Sequence, residues 1–152
     1  MPSLAQRLIQ NHRREQLIDE VSDLVHFQVE NQTGLRRLGL KAAIAVLNAI
    51  QSNAVRHVVS DLLPKFADAL APLFQEFHRS SGRDFSDFLR QHPEETVNAL
   101  ISVTDERAES FGHAAVSKVY ARLRPTAENE VRAALPALSI ILANHLDIAE
   151  AA

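Results

Sequence analysis

Apolar residues recur every three or four positions along most of this chain, the spacing of a helix with one face in a core. Proline interrupts the most regular stretch, because Pro64 and Pro72 lie inside it and proline costs about 3 kcal/mol in a helix interior. The pattern therefore predicts one buried surface built from helices that bend or break at the prolines. The apolar positions of this stretch are Val55, Val58, Val59, Leu62, Leu63, Phe66, Ala69, Leu70, Leu73, Phe74 and Phe77.

The distance from each proline to a capping residue decides between bending and breaking. If Asp61 and Asp68 are N-caps, Pro64 falls in a first turn and Pro72 just past one, where a missing N–H costs little. We favour a break or sharp bend at Asp61. Pro136 has no Ser, Thr, Asn or Asp close upstream, so a kinked continuous helix suits it best.

Three helices are predicted before this stretch. The first begins at Ser3, because Ser3 and Gln6 have the spacing of a capping box. The second runs from about Arg13 to Asn31, and Gly34 is a suitable residue to end it. The third, Leu35 to Ile50, is apolar nearly all round, which predicts a helix in the middle of a bundle.

The helices after this stretch are marked by their first residues. A short amphipathic helix is predicted from Asp84 to Gln91, where it buries its apolar side chains. The run His92 to Glu95 predicts a strong helix start, with proline at the first position and two carboxylates in the first turn. The following rhythm fits one helix, or two joined near Thr104 or Gly112, and Pro125 opens the last segment.

Composition supports the same fold class. Apolar residues make up 46% and charged residues 23%, with only four glycines, close to a globular helical average. We predict an all-α fold: a compact array of six to eight helices, bent or broken at prolines, in a single domain over residues 1–152, with a loop at 79–83. The most apolar run, Ala42 to Ile50, is shorter than the roughly 20 residues of a bilayer span, so we expect no membrane span.

Charge and motif content remove several function classes. The net charge of −3 gives no electrostatic footprint for nucleic acid, and the absence of cysteine excludes thiolate chemistry and disulfides. No glycine-rich phosphate loop or serine-nucleophile motif is present, so an enzyme is not favoured and no cofactor is predicted. The first residues lack an apolar signal segment, so we expect a cytoplasmic protein.

Asp105, Glu109 and His113 are the only weak metal-site candidates. Their spacing of four places them on one helix face, and all three are metal-ligand types. That face lies away from the apolar stripe, so a solvated charged surface is the favoured interpretation, with Arg107 as an ion-pair partner. The seven histidines share no HxxxH or HxxH spacing, and we interpret them as surface or capping residues.

A proline inside a helix frees the carbonyl four residues before it, which is Ser60 for Pro64, and that group then needs a new partner. The functional interpretation is a kink that opens an apolar ligand pocket; the alternative is a bent helix around a packed core. The pocket would be lined by Leu62, Phe66, Leu70, Phe74 and Phe77.

Two segments share a pattern. Val59-x3-Leu63-Pro64-x-Phe66-x3-Leu70 is similar to Val131-x3-Leu135-Pro136-x-Leu138-x3-Leu142. An internal duplication would explain this. Two amphipathic helices built from the same few residue types would explain it equally, and this is the favoured interpretation because the flanks do not extend the match.

Two longer strings carry a resemblance. Asp61 to Pro72 (DLLPKFADALAP) is one, and Val103 to Glu109 (VTDERAE), followed by Val119-Tyr120 and Leu123-Arg124, is the other. Together they resemble a family of small bacterial all-helical proteins of unknown function, over about residues 14–143. The resemblance implies a soluble, single-domain helical protein and assigns no activity, cofactor or catalytic residue.

Three functions are therefore carried forward. The first is a non-enzymatic helical interaction module that self-associates, for example as a homodimer, since long apolar stripes occur without a catalytic constellation. The second is a carrier of a small apolar ligand beside the segment Val55 to Phe77. The third and weakest is a metal-dependent enzyme that uses Asp105, Glu109 and His113.

Overall fold

The computed structural model describes residues 3–9, 13–80 and 84–151, and these residues form α-helices joined by short turns, without a β-strand. The predicted all-α array of six to eight helices is confirmed, since seven are present in the described part of the chain. They are α1 (Leu4–Ile9), α2 (Arg14–Glu30), α3 (Gly34–Ile50), α4 (Ala54–Arg79), α5 (Phe85–Gln91), α6 (Pro93–Ser110) and α7 (Ala114–Ala151).

Local hydrogen bonds explain where several helices begin. The Ser3–Gln6 capping box is confirmed: Ser3 Oγ accepts from the Gln6 N–H at 3.1 Å, and Gln6 Oε1 accepts from the Ser3 N–H at 2.8 Å. Asp84 caps α5 by accepting from the Ser86 N–H at 2.9 Å, and Pro93 is the first residue of α6. Of the predicted loop 79–83, residue 79 is still helical, and residues 81–83 lie outside the described part.

The prolines lie inside continuous helices. Helix α4 runs unbroken through Pro64 and Pro72, and α7 runs through Pro125 and Pro136. The predicted break at Asp61 is therefore wrong, and Pro125 does not open a segment. Apolar side chains on both sides of each α4 proline lie in one core, and full burial of one such side chain contributes about 1.5–3 kcal/mol. Several of them together outweigh the cost of a proline.

Three junctions use left-handed backbone: one at Asn53 before α4, with φ +57°, and two at glycines. Helix α2 ends at Glu30 with Asn31 as its C-cap, so Gly34 does not end α2 but begins α3, with φ +60°. Gly112, with φ +70°, lies between α6 and α7. The alternative of two helices joined near Gly112 is thereby confirmed, because this conformation suits glycine and interrupts a helix.

The main core lies along the inner face of α4. Side chains of α1, α2, α5, α6 and α7 pack against it, and a smaller cluster of Val97, Ile101 and Leu135 joins α6 to α7. The most completely buried apolar side chains, each under 2% exposed, come from five different helices. They are Leu4, Leu17, Ile18, Leu70, Leu89 and Val97.

Helix α3 is peripheral, which corrects the prediction that it is central. Ala43 is its only buried residue, whereas Leu35 is 88% exposed and Leu38 is 64% exposed. All-round apolarity removes any preference for one face, and the longer helices α4 and α7 already supply the core. Among the described helices none is by itself long and apolar enough to cross a membrane; α3 and α4 reach that composition only as a pair bent by 87°.

Candidate functional site

A cavity of about 320 Å³ lies between α4 and α7. No Cα atom of α4 comes within 8 Å of a Cα atom of α7 among the described residues, so side chains alone close the gap. Helices α2 and α6 supply further walls, with Leu8 from α1 and Leu40 from α3. The interior of the array is therefore incompletely packed along the line between its two longest helices.

The wall from α4 is the inner part of its apolar stripe. It extends from Val58 to Leu70, a rise of about 18 Å at 1.5 Å per residue. The spacing of three and four along this stretch places the side chains on one side of the helix. The α4 wall consists of Val58, Val59, Leu62, Leu63, Phe66, Ala67 and Leu70.

The wall from α7 is the second copy of the shared pattern. Val131, Leu138 and Leu142 line the cavity together with Glu130 and Ala134. Sequence reasoning did not assign these residues to a site, although the similarity of the two segments was the available signal. Three of the four matching apolar pairs thus line one cavity from opposite helices. The exception is Leu135, the match of Leu63, which packs against Val97 and Ile101.

Only three polar residues lie along this wall among the described residues: Gln28, Thr104 and Glu130. The Thr104 hydroxyl donates to the Leu100 carbonyl oxygen at 2.9 Å, so its hydrogen is already used. Glu130 accepts from Gln32 Nε2 at 2.9 Å. Its other carboxylate oxygen lies 3.4 Å from Arg36 Nη1. The site is therefore apolar over most of its surface, with one anionic group paired to a cation of α3.

The five residues predicted for a pocket divide into two groups. Leu62, Phe66 and Leu70 line the cavity. Phe74 and Phe77 do not; their rings pack against Phe85 of α5, each with centroids 5.3 Å apart. Since all five belong to one stripe of α4, the neighbouring helix decides which part of the stripe borders open space.

Asp105 belongs to a polar cluster on the outside of the α6–α7 hairpin. The Tyr120 hydroxyl donates to Asp105 Oδ1 at 2.5 Å, and Arg124 Nε donates to the same oxygen at 2.8 Å. Partial burial acts to raise the pKa of Asp105, but the two hydrogen bonds and the Arg124 charge outweigh it and hold the pKa below its usual value. Burial, and next the bond to Asp105, raise the pKa of Tyr120.

The other two metal-site candidates do not join Asp105. Glu109 and His113 are exposed, and His113 Nδ1 accepts from the Ala115 N–H at 3.2 Å at the start of α7. Arg107, the expected ion-pair partner, instead lies 3.4 Å from Asp61 and over the Phe111 ring. Across the described ranges no three His, Asp or Glu side chains are placed to hold a metal ion.

His145 departs from the interpretation of the histidines as surface or capping groups. It is 3% exposed, and its Nε2 lies 2.6 Å from Glu20 Oε2. The contact joins α7 to α2 near the core. No local signal marks it, because its partner is 125 positions away in the sequence.

The family comparison covers nearly the whole chain. A sequence model of a family of unknown function, DUF6918, matches residues 4–146. The chain belongs to this family, which bears out the resemblance to a family without assigned activity. Every residue that lines the cavity falls within the matched range. No curated protein and no solved structure matches the chain.

Proposed function

We propose that this protein binds and carries a small, elongated apolar molecule in the cavity between α4 and α7. The observation that carries the proposal is a cavity of about 320 Å³ with a wall that is apolar at all but three described positions. Ligand sites typically have volumes of about 300–1,000 Å³ and apolar walls with a few polar groups. This cavity meets both criteria.

The chemistry of the cavity wall supports a ligand. The cavity is partly open to solvent, so water inside it contacts apolar side chains. Removal of apolar surface from water contributes about 25 cal/mol per Å². A molecule that fills the cavity would gain this burial together with packing contacts.

The proportions of the cavity favour a single aliphatic chain. Its walls extend for about 18 Å along both α4 and α7. This length suits an extended hydrocarbon chain that lies along the two helices. Glu130 on the wall favours a neutral head group, since a ligand carboxylate would face a like charge.

The test is binding of 1-dodecanol to the purified chain by titration calorimetry, with a matched pair of variants. Ala134 lines the cavity, whereas its neighbour Ala133 is exposed. Ala134→Trp should fill the space and weaken binding by at least about tenfold, or about 1.4 kcal/mol. Ala133→Trp should bind like the parent chain. Native mass spectrometry of the purified protein gives an independent readout through co-purified apolar molecules.

The two variants also define failure. An equal loss of affinity in both would show that the dodecanol site is elsewhere. Absence of binding, together with no co-purified molecule and no rise in melting temperature with ligand, would overturn the carrier function. A ligand at 100 times its Kd should stabilise the folded state by about 2.7 kcal/mol, so the thermal shift is measurable.

Self-association is a second candidate function, favoured by one observation. Helix α3 exposes large apolar side chains, with Leu35 at 88% and Leu38 at 64%, and contiguous exposed apolar surface often marks an interface. Light scattering across a range of concentrations tests it, and a constant monomer mass would overturn it.

The cytoplasmic location and the bacterial origin stay predictions from the sequence, and no described arrangement favours the metal-dependent enzyme.

A further inference from the structure

The outer face of α3 carries an apolar seam with a strict spacing of three and four. All five of its residues are exposed, although each is apolar. A repeat of three and four is the spacing with which two helices keep one seam in contact along a coiled coil. The outer seam consists of Leu35, Leu38, Ala42, Ala45 and Ala49.

This seam is separate from the face that attaches α3 to the rest of the chain. Leu40 lines the cavity, Ala43 is buried and Ile44 packs against the core. At about 100° per residue these three point away from Leu38 and Ala42. Helix α3 therefore has two apolar faces, and within the described part of the chain only one of them packs against other helices.

Side-chain size changes along the outer seam. Its first two residues are Leu35 and Leu38, and its last three are alanines. Two copies paired in parallel would place leucine against leucine at one end and alanine against alanine at the other, which splays the helices. An antiparallel pair places leucine opposite alanine at both ends, with alanine against alanine only at the centre, which is the arrangement that fills an interface more evenly.

Charge changes along α3 in the same direction. Arg36, Arg37 and Lys41 lie in its first half, and from residue 42 to its end the helix has no charged residue. Arg37 and Lys41 both pair with one carboxylate, Glu30, at 2.7 and 2.9 Å. At about 100° per residue, Arg36 and Arg37 lie on the side of α3 turned away from the seam, and only Lys41 flanks it. The orientation of a pair is therefore decided by side-chain size along the seam.

We propose that α3 pairs with α3 of a second copy of this chain, antiparallel, about a twofold axis at Ala42. Leu35 then packs against Ala49 of the second copy, and Leu38 packs near Ala45 of the second copy. A self-complementary contact of this kind is the usual one in twofold dimers. The inference rests on the self-association proposed above and adds the surface and the orientation.

Single-cysteine variants test the orientation, and the chain has no native cysteine to interfere. A disulfide needs Cα atoms about 4.4–6.8 Å apart. Ala42→Cys lies on the axis and should form a covalent dimer under mild oxidation. Leu35→Cys should not, because its two copies would lie about 21 Å apart along the helices. The double variant Leu35→Cys/Ala49→Cys should again cross-link, and Ser102→Cys on the exposed side of α6 is the control.

A charge on the axis tests the surface. Ala42→Asp places two like charges together and should weaken dimerisation about 100-fold, measured by sedimentation velocity, whereas Ser102→Asp should leave it unchanged. A dimer that Ala42→Asp does not weaken overturns the use of α3 while self-association stands. Cross-linking of Leu35→Cys alone overturns the antiparallel arrangement. A monomer at every concentration overturns self-association itself and this inference with it.

Discussion

The guanidinium of Arg14 donates to the backbone carbonyl oxygen of Ser60, with Nη2 3.4 Å from that oxygen and 3.2 Å from Ser60 Oγ. Pro64 deprives this carbonyl of its helical partner, because proline has no N–H to offer four residues later. Helix α2 thus supplies the hydrogen bond that α4 cannot make within itself. This contact helps α4 to continue through Pro64 where the sequence predicts a break.

A double-mutant cycle should detect this relationship. Arg14→Ala removes the donor and should lower the free energy of unfolding by about 1 kcal/mol, measured in urea. In the Pro64→Ala background the helix regains its own N–H donor, so the same substitution should cost clearly less. Equal costs in the two backgrounds would show that Arg14 stabilises the protein by another route.

Phe77 and Phe66 should separate stability from ligand binding. Phe77 is buried between rings of α5, with Phe88 at 5.7 Å, so Phe77→Ala should lower the free energy of unfolding by about 3–5 kcal/mol. The folded fraction of this variant should bind dodecanol with the affinity of the parent chain. Phe66 lines the cavity and is half-buried, so Phe66→Ala should shift the preference towards bulkier or longer alcohols. If Phe77→Ala changed the ligand preference and Phe66→Ala changed only the stability, the placement of the cavity would be contradicted.

Asp105 should make the stability depend on pH in acid. Its pKa is held below the usual value of 3.8 in the folded state, so its contribution is present at pH above the unfolded pKa and is lost as the pH falls through the folded pKa. Asp105→Asn should therefore be less stable than the parent at pH 7, by up to about 1 kcal/mol because the side chain is partly exposed. The free energies of unfolding of the parent and the variant should converge at the lowest pH. A difference between them that stays constant with pH would contradict this contribution.

Glu130 should control the choice of head group. Dodecanoate should bind more weakly than 1-dodecanol in the parent chain, since two carboxylates near one another disfavour the charged forms. Glu130→Gln should narrow this difference in calorimetry at neutral pH. Glu128→Gln is the matched control, because Glu128 is exposed and pairs with Arg124 on the same helix. Equal effects of the two variants would place the ligand head group away from Glu130.

Helix starts were the most predictable part of the fold. The Ser3–Gln6 capping box, the start of α5 next to Asp84 and the first position of Pro93 depend on groups within three residues of each other. Such hydrogen bonds form or fail within one turn, so the adjacent side chains are sufficient to predict them. The break at Asp61 was mispredicted because the partner that compensates Pro64 lies on a different helix.

The candidate site was predictable in part. The periodic stripe of α4 brought Leu62, Phe66 and Leu70 into consideration, and they do line the cavity. It also brought in Phe74 and Phe77, which α5 covers instead. An apolar stripe predicts that a surface is buried. Which helix packs against each part of the stripe depends on the tertiary structure.

By itself the sequence determined the helices, their periodic faces and most of their first residues, because these follow from short-range sterics, hydrogen bonds and apolar spacing. Only the tertiary structure decided that α3 lies outside, that α4 and α7 stand apart around a cavity, and that Arg14 reaches Ser60. These outcomes depend on which helices compete for the same buried volume. The result depends on contacts between residues that are distant in the sequence, and no local pattern predicts those contacts.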